Sequence, residues 1–545
     1  MDQISLFRWR WSCLATALVL ATPASGQTIL DRADPVIAEE ARPAPRREIE
    51  KMPTQPTVAG AQIYATPVGS VAVKTIRLEG LEVLSEADFR KTMAVWEGRT
   101  LDPTQQMALV RAIVEKARAA GYPLATAMIP SQIPSDGTLQ IRVDEGRIAG
   151  LRFNGTRHAL AEKMLGRLAD GMPITTKRLA RALRLVEALP GVHIRKSELV
   201  QETGLNILVV EIGLNRVAGT GWIDNWGTSS IGPVLARGLL EVRNTFVSGD
   251  EIDFGLSIVP VQPREYVNVS VRYALPLSDR GTRFSINASL ARSHSDRGFG
   301  RPAYDGDGGR IGATLSHPVV LDRTFRVSAS LGLSLRDTET QDRGIKVRND
   351  RVALLTGQLT AQKQLRSGYL SGGVALVHGP GWFRSTREGD LMASRSDGSA
   401  VFTKIEARAS LETRIKGRFS VALDAEAQVA SRPLLSGDEF GIGGASFGRA
   451  YDYREASGDN AVAASAELRF DLAKLKPPLR RLQLYGYGDV ARVWDLRRGR
   501  TESLASAGAG LRASITNNFG IGLEVGAPLD QLRRARGSIT AWARF

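Results

Sequence analysis

Residues that could carry out chemistry are few and scattered in this sequence. No GxxxxGK[ST] phosphate-binding loop occurs. The aspartate–glycine run at 305–309 could bind calcium, but it lacks a glutamate at ligand spacing and is more typical of a hairpin loop. The histidines are far apart and none has an HExxH or comparable ligand spacing: His158, His193, His294, His317 and His378. The sequence therefore predicts a protein that is not an enzyme and that uses no metal or cofactor.

A glycine-rich loop in the last third of the chain is more informative. The loop, near 433–460, joins two candidate strands at 419–431 and 461–472. Its centre contains the tetrapeptide Gly448-Arg449-Ala450-Tyr451. The loop is long enough to fold inward between the strands, so its arginine can reach side chains on other strands.

Asp489 is the candidate partner of that arginine. It lies in a strand candidate where Leu484 alternates with Tyr485 and Tyr487. If the leucine faces lipid, alternation directs the tyrosines and Asp489 into an enclosed lumen. A carboxylate there requires a cation, and Arg449 is the obvious one. From the residues alone, the alternative is that Arg449 is a solvated loop arginine and Asp489 a charge near water.

Strands with a period of two must position this loop. From Arg216 onward the helical period disappears, and apolar residues occupy every second position in 267–273, 284–290 and 325–335. A soluble β-sandwich alternates too, but here the polar faces repeatedly carry full charges. About sixteen strand candidates follow one another without a helix, an even number as in membrane barrels. The sequence thus predicts a transmembrane barrel over 214–545.

Both the interior and the end of the barrel have candidate residues. The last strand candidate, 538–545, has apolar residues on one face and can close the barrel. Its terminal Phe545 is the expected contact for the barrel-assembly machinery that inserts such proteins. The lumen is expected to be lined by charged residues such as Arg326, Arg336, Glu406, Arg408 and Glu467.

The first residues predict export from the cytoplasm. Basic residues precede a short apolar run at 14–21, and small residues follow it, so 1–26 has the features of a signal peptide. About ten apolar residues are too few to cross roughly 30 Å of hydrocarbon. Cys13, the only cysteine, lies in this segment, and the mature chain is expected to have no thiol. Residues 27–70 are rich in proline and charge and predict a tether, with a possible plug helix near 36–42.

Two small α/β domains are predicted between the tether and the barrel. Residues 71–145 and 146–213 each have the order β-α-α-β-β, which predicts a tandem of similar units. In the first unit we expect helices at 86–95 and 104–120, with strands near 124–129 and 138–143. In the second we expect a strand at 148–153, helices at 159–168 and 176–189, and strands at 192–199 and 206–212.

The charge of the chain restricts its partners. A formal net charge of +15 could indicate nucleic acid, acidic lipid head groups or a basic lumen. Since a secreted chain seldom meets nucleic acid, the leading explanations are a basic lumen and contact with acidic head groups, such as those of outer-membrane lipid or lipopolysaccharide. No apolar stretch is long enough for a spanning helix, which excludes a helical membrane protein.

Several motifs resemble those of the two-partner secretion transporters, the haemolysin secretion/activation family, over nearly the whole mature chain. Gly448-Arg449-Ala450-Tyr451 looks like the VRG[FY] tip of the family's inward-folded loop, and Gly488-Asp489 falls in its FxDxG strand motif. Ala450 and Ala491 stand where the family has glycines, and Ala450 would hinder a positive φ at the tip. Three segments look like the family's first polypeptide-transport-associated (POTRA) domain: Gly121-Tyr122, Ile129-Pro130-Ser131-Gln132 and Val143-Asp144-Glu145-Gly146.

The resemblance implies a fold and a function. The fold is a transmembrane β-barrel of about 16 antiparallel strands preceded by two POTRA domains. Arg449 and Asp489 would pair inside the lumen. The protein would be a monomer in the outer membrane, with its POTRA domains in the periplasm, where they would recognise an unfolded partner exoprotein before it threads the barrel. The alternatives are a barrel-assembly factor of the same superfamily, a passive porin and, more remotely, an outer-membrane lipase or protease.

Overall fold

The computed structural model describes the backbone of residues 57–58 and, more fully, residues 69–132, 136–227, 232–295, 304–322, 324–472, 478–530 and 534–545. The predicted signal peptide and the possible plug helix near 36–42 lie outside these residues. Within the described ranges, no helix is both long enough and apolar enough to span a membrane.

The first α/β unit packs two helices on a small sheet. Its elements are β2 (Val71–Val73), β3 (Thr75–Glu79), α1 (Glu86–Met93), β4 (Arg99–Leu101), α2 (Pro103–Ala119), β5 (Thr126–Met128) and β6 (Thr138–Asp144). The sheet order is β3-β6-β5. Helix α2 begins where Asp102 accepts the Gln105 N–H at 2.8 Å. Its apolar face, including Leu109 and Ile113, is fully buried in the core.

The second unit repeats this plan. It contains β7 (Gly150–Gly155), α3 (Ala159–Gly166), α4 (Thr176–Glu187), β8 (Val192–Glu202) and β9 (Leu205–Leu214). The sheet order is β1-β8-β9-β7, in which β1 is the backbone of Thr57–Val58. Strand β1 pairs in parallel with β8, so a segment of the predicted tether occupies one edge of this sheet.

Sixteen described strands form a closed barrel. The first eleven are β10 (Val217–Asp224), β11 (Leu235–Arg243), β12 (Glu251–Ile258), β13 (Tyr266–Pro276), β14 (Arg283–Ser295), β15 (Tyr304–Leu321), β16 (Phe325–Asp342), β17 (Ile345–Gln364), β18 (Gly368–His378), β19 (Thr403–Lys416) and β20 (Phe419–Ala430). A loop with two short strands follows, β21 (Phe440–Ile442) and β22 (Ala456–Gly458). The last five barrel strands are β23 (Asn460–Asp471), β24 (Arg481–Trp494), β25 (Thr501–Ser514), β26 (Phe519–Pro528) and β27 (Arg536–Arg544).

Closure and alternation agree with the sequence prediction of a barrel. Strand β27 pairs antiparallel with β10, from Thr220 opposite Arg544 to Asp224 opposite Thr540. Large apolar side chains remain exposed on the outer face of most strands, as expected where lipid is the solvent: Leu290, Leu331, Leu359, Val374, Ile405, Leu468, Val490 and Val525. The fold prediction of a 16-stranded antiparallel barrel after small α/β domains is confirmed.

The aspartate–glycine run at 305–309 is not a hairpin loop, and that prediction was wrong. Strand β15 starts at Tyr304 and pairs with β14 through the whole run. Side chains on β14 contact the carboxylates from across the ladder: Arg292 Nε donates to Asp307 at 2.7 Å, and His294 Nδ1 lies 2.6 Å from Asp305. Cross-strand polar pairs thus offset the low strand propensity of aspartate and glycine.

The second unit docks on one end of the barrel, which we call the proximal rim; the opposite end is the distal rim. His158 Nε2 lies 2.7 Å from Asn244 Oδ1, and Asn244 donates to the Pro190 carbonyl at 3.1 Å. Arg167 and Asp279 form an ion pair at 2.8 Å. The contacts on the barrel side come from turns 244–250 and 277–282 and from Pro318 and Leu321 near the end of β15.

Asp250 fixes the first of these turns. Its carboxylate accepts the backbone N–H groups of Thr245, Phe246 and Val247 at 2.7 to 3.0 Å and the Tyr273 hydroxyl at 3.1 Å. Burial alone would raise the pKa of Asp250, but these hydrogen bonds outweigh it and lower the pKa below its ordinary value. The turn therefore keeps its ionised anchor at neutral pH.

Candidate functional site

The loop between β20 and β23, residues 431–459, folds back into the lumen; we call it the inward loop. Its strands β21 and β22 form a ribbon in which Phe440 pairs with Gly458. Its apolar side chains pack on small residues of the barrel wall in one buried cluster: Ile442, Phe447, Ala450, Tyr451, Ala456, Ala461, Ala463, Ala491, Val493 and Leu504. Alanines on the inner face of β23 and β24 leave the space that the loop fills.

Arg449, near the tip of the inward loop, binds Asp489 on β24. The guanidinium donates through Nη2 to Oδ1 at 2.8 Å and through Nε to Oδ2 at 3.0 Å, a bidentate fork. The backbone N–H of Arg449 donates to the same carboxylate at 3.1 Å. Both side chains are buried, with 5% of Arg449 and 1% of Asp489 exposed. Arg449 is thus not a solvated loop residue.

Other strands add acceptors around this arginine. Its Nη1 contacts Glu467 at 2.8 Å and Glu524 at 3.3 Å, and its Nη2 donates to the Ser465 hydroxyl at 3.1 Å. Ser506 donates to Asp489 at 3.1 Å. The sequence prediction named Glu467 only as a lumen residue and missed Ser465, Ser506 and Glu524.

Aromatic rings and two further arginines complete the charge network. The Arg449 guanidinium lies 3.4 Å from the centroid of the Tyr487 ring, a cation–π contact. Arg512 stacks on Tyr485 at 3.8 Å and also donates to Glu467 at 3.1 Å. Arg469 bonds Glu467 from the same strand at 2.7 Å. The buried carboxylates are therefore shared among several cations, and the Arg449–Asp489 pair is the centre of a larger network.

The alanine at position 450 fits the tip without strain. The left-handed conformation, which favours glycine, falls on Gly448 with φ +79° and not on Ala450. The Tyr451 hydroxyl donates to the Ala505 carbonyl at 3.1 Å and so ties the tip to β25. The hindrance expected from Ala450 does not arise, because the positive φ lies two residues earlier in the motif.

A polar cavity of about 650 Å³ lies in the lumen beside the inward loop. Of the five residues predicted to line the lumen, Arg336, Glu406 and Arg408 lie on its wall, whereas Arg326 and Glu467 are not among its lining residues. Lys404 and Arg454 also face it. Charges of both signs surround this space, and its lining is more polar than apolar although Leu354, Val377 and Phe447 also contribute, so it offers little surface on which an unfolded chain would stick.

The motif residues of the first α/β unit fix its loops. Glu145 is buried and accepts three backbone N–H groups, from Glu82 at 3.3 Å, Val83 at 2.9 Å and Leu84 at 2.6 Å. This carboxylate thereby holds the loop that leads into α1.

Gln132 continues the β-ladder beyond the end of β5. Its side chain donates to the Gln140 carbonyl at 2.7 Å and accepts the Gln140 N–H at 2.9 Å. It also donates to the Pro130 carbonyl at 3.4 Å. Tyr122 is buried in the core of the unit. These residues stabilise the sheet and its connections.

Two motif glycines join the first unit to the second. The Gly121 carbonyl accepts the Thr176 N–H, and the Gly146 carbonyl accepts the Ile174 N–H, both at 2.9 Å. Leu124 of the first unit is part of the hydrophobic core of the second. The two units therefore share a packed joint.

We expect Gly146→Ala to disrupt this joint and Gly121→Ala to be milder. Both glycines have positive φ, but a Cβ at Gly146 would lie 2.4 Å from the Leu124 carbonyl oxygen, whereas a Cβ at Gly121 meets nothing within 4 Å. Backbone strain alone costs about 1 to 3 kcal/mol, and the steric overlap adds to it only at Gly146. Graded proteolysis of the full-length protein in membranes measures the difference. Equal protease resistance of the two variants would contradict the assignment.

The fold and the site define a class of protein: a β-barrel transporter of the outer membrane whose lumen holds an inward loop pinned by buried charges. The chain is similar, with 22% identity over 79% of each sequence, to the heme/hemopexin transporter protein HuxB of Haemophilus influenzae. The outer membrane transporter CdiB of Escherichia coli is 24% identical over 78% of this chain and 72% of that protein. The chain belongs to the family described as haemolysin secretion/activation protein ShlB/FhaC/HecB, which matches residues 205–513. Residues 71–146 match the ShlB-type POTRA domain.

Solved structures share the fold. CdiB from Escherichia coli superposes with a TM-score of 0.72 at 20% identity and covers 95% of both chains. CdiB from Acinetobacter baumannii gives 0.62 at 17% identity and covers 92% of this chain and 93% of the other. The predicted membership of the secretion family is confirmed, and this is a family of transporters, not of enzymes.

Proposed function

We propose that this protein moves an unfolded partner exoprotein through its barrel from the periplasm to the cell surface. The observation that carries the proposal is the inward loop, which fills part of the lumen and whose tip is held by buried polar contacts centred on Arg449. A passive porin would leave the α/β units at 71–212 without a role. The chain belongs to a secretion family, and a loop that can leave the lumen would allow the pore to open when a polypeptide passes through.

The α/β units are the proposed binding sites for the partner before it enters the pore. In this arrangement the proximal rim faces the periplasm, and the second unit acts as a second POTRA domain. The parallel pairing of β1 with the edge of β8 supports this role, because a short extended segment of the chain itself adds to that edge. Addition of a strand to a sheet edge recognises backbone more than sequence, which suits an unfolded substrate.

Transport needs no catalytic residue in this proposal. The partner threads past mixed charges, such as Arg336, Glu406 and Arg408, that offer no lasting apolar contact. Folding of the partner outside the cell then drives transport from the periplasm to the cell surface. HuxB is named as a heme/hemopexin transporter and CdiB as an outer membrane transporter, which supports a role in transport here.

The lipid and assembly partners belong to the same proposal. The outer apolar belt contacts outer-membrane lipid and lipopolysaccharide, and the protein acts as a monomer. Phe545 exchanges both backbone hydrogen bonds with Gly219 while 74% of its side chain stays exposed. An exposed aromatic terminus beside the closing seam is available to the barrel-assembly machinery during insertion.

Comparison of secreted proteins with and without the chain tests the function. We expect deletion to remove one large protein from the culture medium, and plasmid-borne wild-type protein to restore it. Arg449→Ala, at equal abundance in the membrane, should fail to restore it. A general loss of outer-membrane barrels with an otherwise normal medium would instead support the alternative, a barrel-assembly factor.

A further inference from the structure

The loop between β18 and β19, residues 379–402, covers the base of the inward loop at the distal rim; we call it the distal lid. The Ser399 N–H donates to the Pro433 carbonyl at 3.1 Å, and the Ser436 N–H donates to Ser394 Oγ at 3.0 Å. The fit is close, because a Cβ at Gly398 would lie 2.6 Å from the Leu434 carbonyl oxygen. The lid and the base of the inward loop are therefore in direct contact.

A buried arginine of the lid adds ion pairs to this contact. Arg395 is 5% exposed, and its Nη1 donates to Asp459 Oδ1 at 2.8 Å and to the Glu439 carboxylate. Its Nη2 donates to Asp397 at 3.1 Å, and Asp495 lies 4.0 Å away. Glu439 and Asp459 bracket the ribbon of the inward loop, so Arg395 fixes both of its ends.

Asp459 extends the connection to a third loop. Its side chain is fully buried, and besides Arg395 it accepts the Leu434 N–H at 2.7 Å and the Leu496 N–H at 2.9 Å. Leu496 lies in the hairpin between β24 and β25, residues 495–500. One ion cluster thus joins the lid, the inward loop and this hairpin.

The chemistry of the cluster suits a contact that must break and re-form. Well-packed apolar side chains would hold the loops at least as firmly as a buried ion cluster. Several carboxylates crowd around Arg395, and they repel one another once the arginine is withdrawn. The lid also packs on the inward loop through Ala400 and Phe402, but Arg395 is the side chain whose loss turns the charges of this contact from attractive to repulsive.

We propose that Arg395 is the positioning residue of a distal gate. It holds the lid on the base of the inward loop, at the end of the lumen opposite to the docked α/β units. Arg449 anchors the tip of the same loop by separate contacts. Release of both arginines is required before the loop can leave the lumen. This inference extends the proposed function. It rests on that function only for the statement that the molecule passing through the lumen is a partner protein.

Single-channel recording of the full-length protein in planar bilayers tests the gate without any cargo. We expect Arg395→Ala to raise the open probability by at least about tenfold, because the stranded carboxylates favour the open state. Arg498→Ala is the matched control, since Arg498 bonds Asp397 at 2.6 Å but is largely exposed, and it should behave as the wild type. Wild-type open probability in Arg395→Ala, with normal heat-dependent gel mobility, would overturn the proposal.

A reversible cross-link keeps the test decisive if Arg395→Ala does not fold. Ser394→Cys and Ser436→Cys join the lid to the inward loop across an existing hydrogen bond, and Cys13 is the only natural cysteine of the sequence. Oxidation should suppress channel openings and reductant should restore them, with each single-cysteine variant unaffected. Undiminished openings in the fully cross-linked protein would refute the gate. Failure of the wild type to export any partner would refute the proposed function alone.

Discussion

Arg449→Ala and Asp489→Ala are each expected to reduce export of the partner by at least about tenfold while the barrel still inserts in the membrane. Removing one member of a desolvated ion pair strands the other, at a cost on the order of 3 kcal/mol. The strand ladder that stabilises the barrel is unchanged in both variants. The loss should therefore affect the position of the inward loop and not the amount of folded protein.

The surrounding network predicts an order among the variants. Arg449→Ala leaves Asp489 without its cation and removes one cation from beside Glu467 and Glu524, whereas Asp489→Ala leaves Arg449 with Glu467 and Glu524. Arg449→Ala should thus be the more damaging change, and the double variant should be little worse than Arg449→Ala alone. Arg449→Lys should rescue only in part, because lysine cannot form the bidentate fork.

Secretion assays with membrane abundance measured in parallel decide these predictions. Arg481→Ala is a suitable control, since Arg481 is on the same strand as Asp489 and pairs with Asp471 at 3.0 Å in a solvent-exposed position. It should secrete normally. Additive defects of Arg449→Ala and Asp489→Ala would mean that the two residues act independently, and normal secretion from both would leave the pair without a role in transport.

The Arg449–Asp489 contact can be predicted from the sequence because two independent observations, strand alternation and a motif resemblance, indicate it. Alternation along β24 directs Asp489 inward, and family resemblance pointed to the loop tip. The supporting residues could not be found in the same way. Ser465, Asp489 and Ser506 stand opposite one another on β23, β24 and β25, a row set by strand register. Register depends on pairing along the whole sheet, and a single sequence does not specify it.

No local sequence pattern indicates the ion cluster at the distal rim. Arg395 lies in a loop with ordinary polar composition, and its partners come from segments up to a hundred positions away. The prediction of a hairpin loop at 305–309 was wrong for a related reason. The run forms a strand because its aspartates contact Arg292 and His294 on the neighbouring strand. Period-two patterning reports which solvent a strand face meets, whereas charge partners across loops and strands depend on the closed barrel.

Glu145→Ala is expected to destabilise the first α/β unit by roughly 3 kcal/mol or more and to suppress export with it. The buried carboxylate accepts the N–H groups of Glu82, Val83 and Leu84, and alanine leaves all three without that acceptor. Since charged acceptors form the stronger hydrogen bonds, Glu145→Gln should be intermediate. The barrel shares none of these contacts, so its heat-dependent gel mobility should remain that of the wild type.

Glu82→Ala is the matched control for this change, because it alters the same loop without touching the buried carboxylate. Glu82 forms an exposed ion pair with Arg147, with 49% of its side chain accessible, and such pairs contribute about 1 kcal/mol or less. Proteolysis of the first unit in intact membranes, at increasing temperature, should therefore separate Glu145→Ala from both Glu82→Ala and the wild type. If Glu145→Ala resisted protease as well as Glu82→Ala, the loop before α1 would be held by its other contacts. If it were protease-sensitive yet exported normally, the first unit would not be the recognition domain, and the edge of β8 in the second unit would be the next surface to alter.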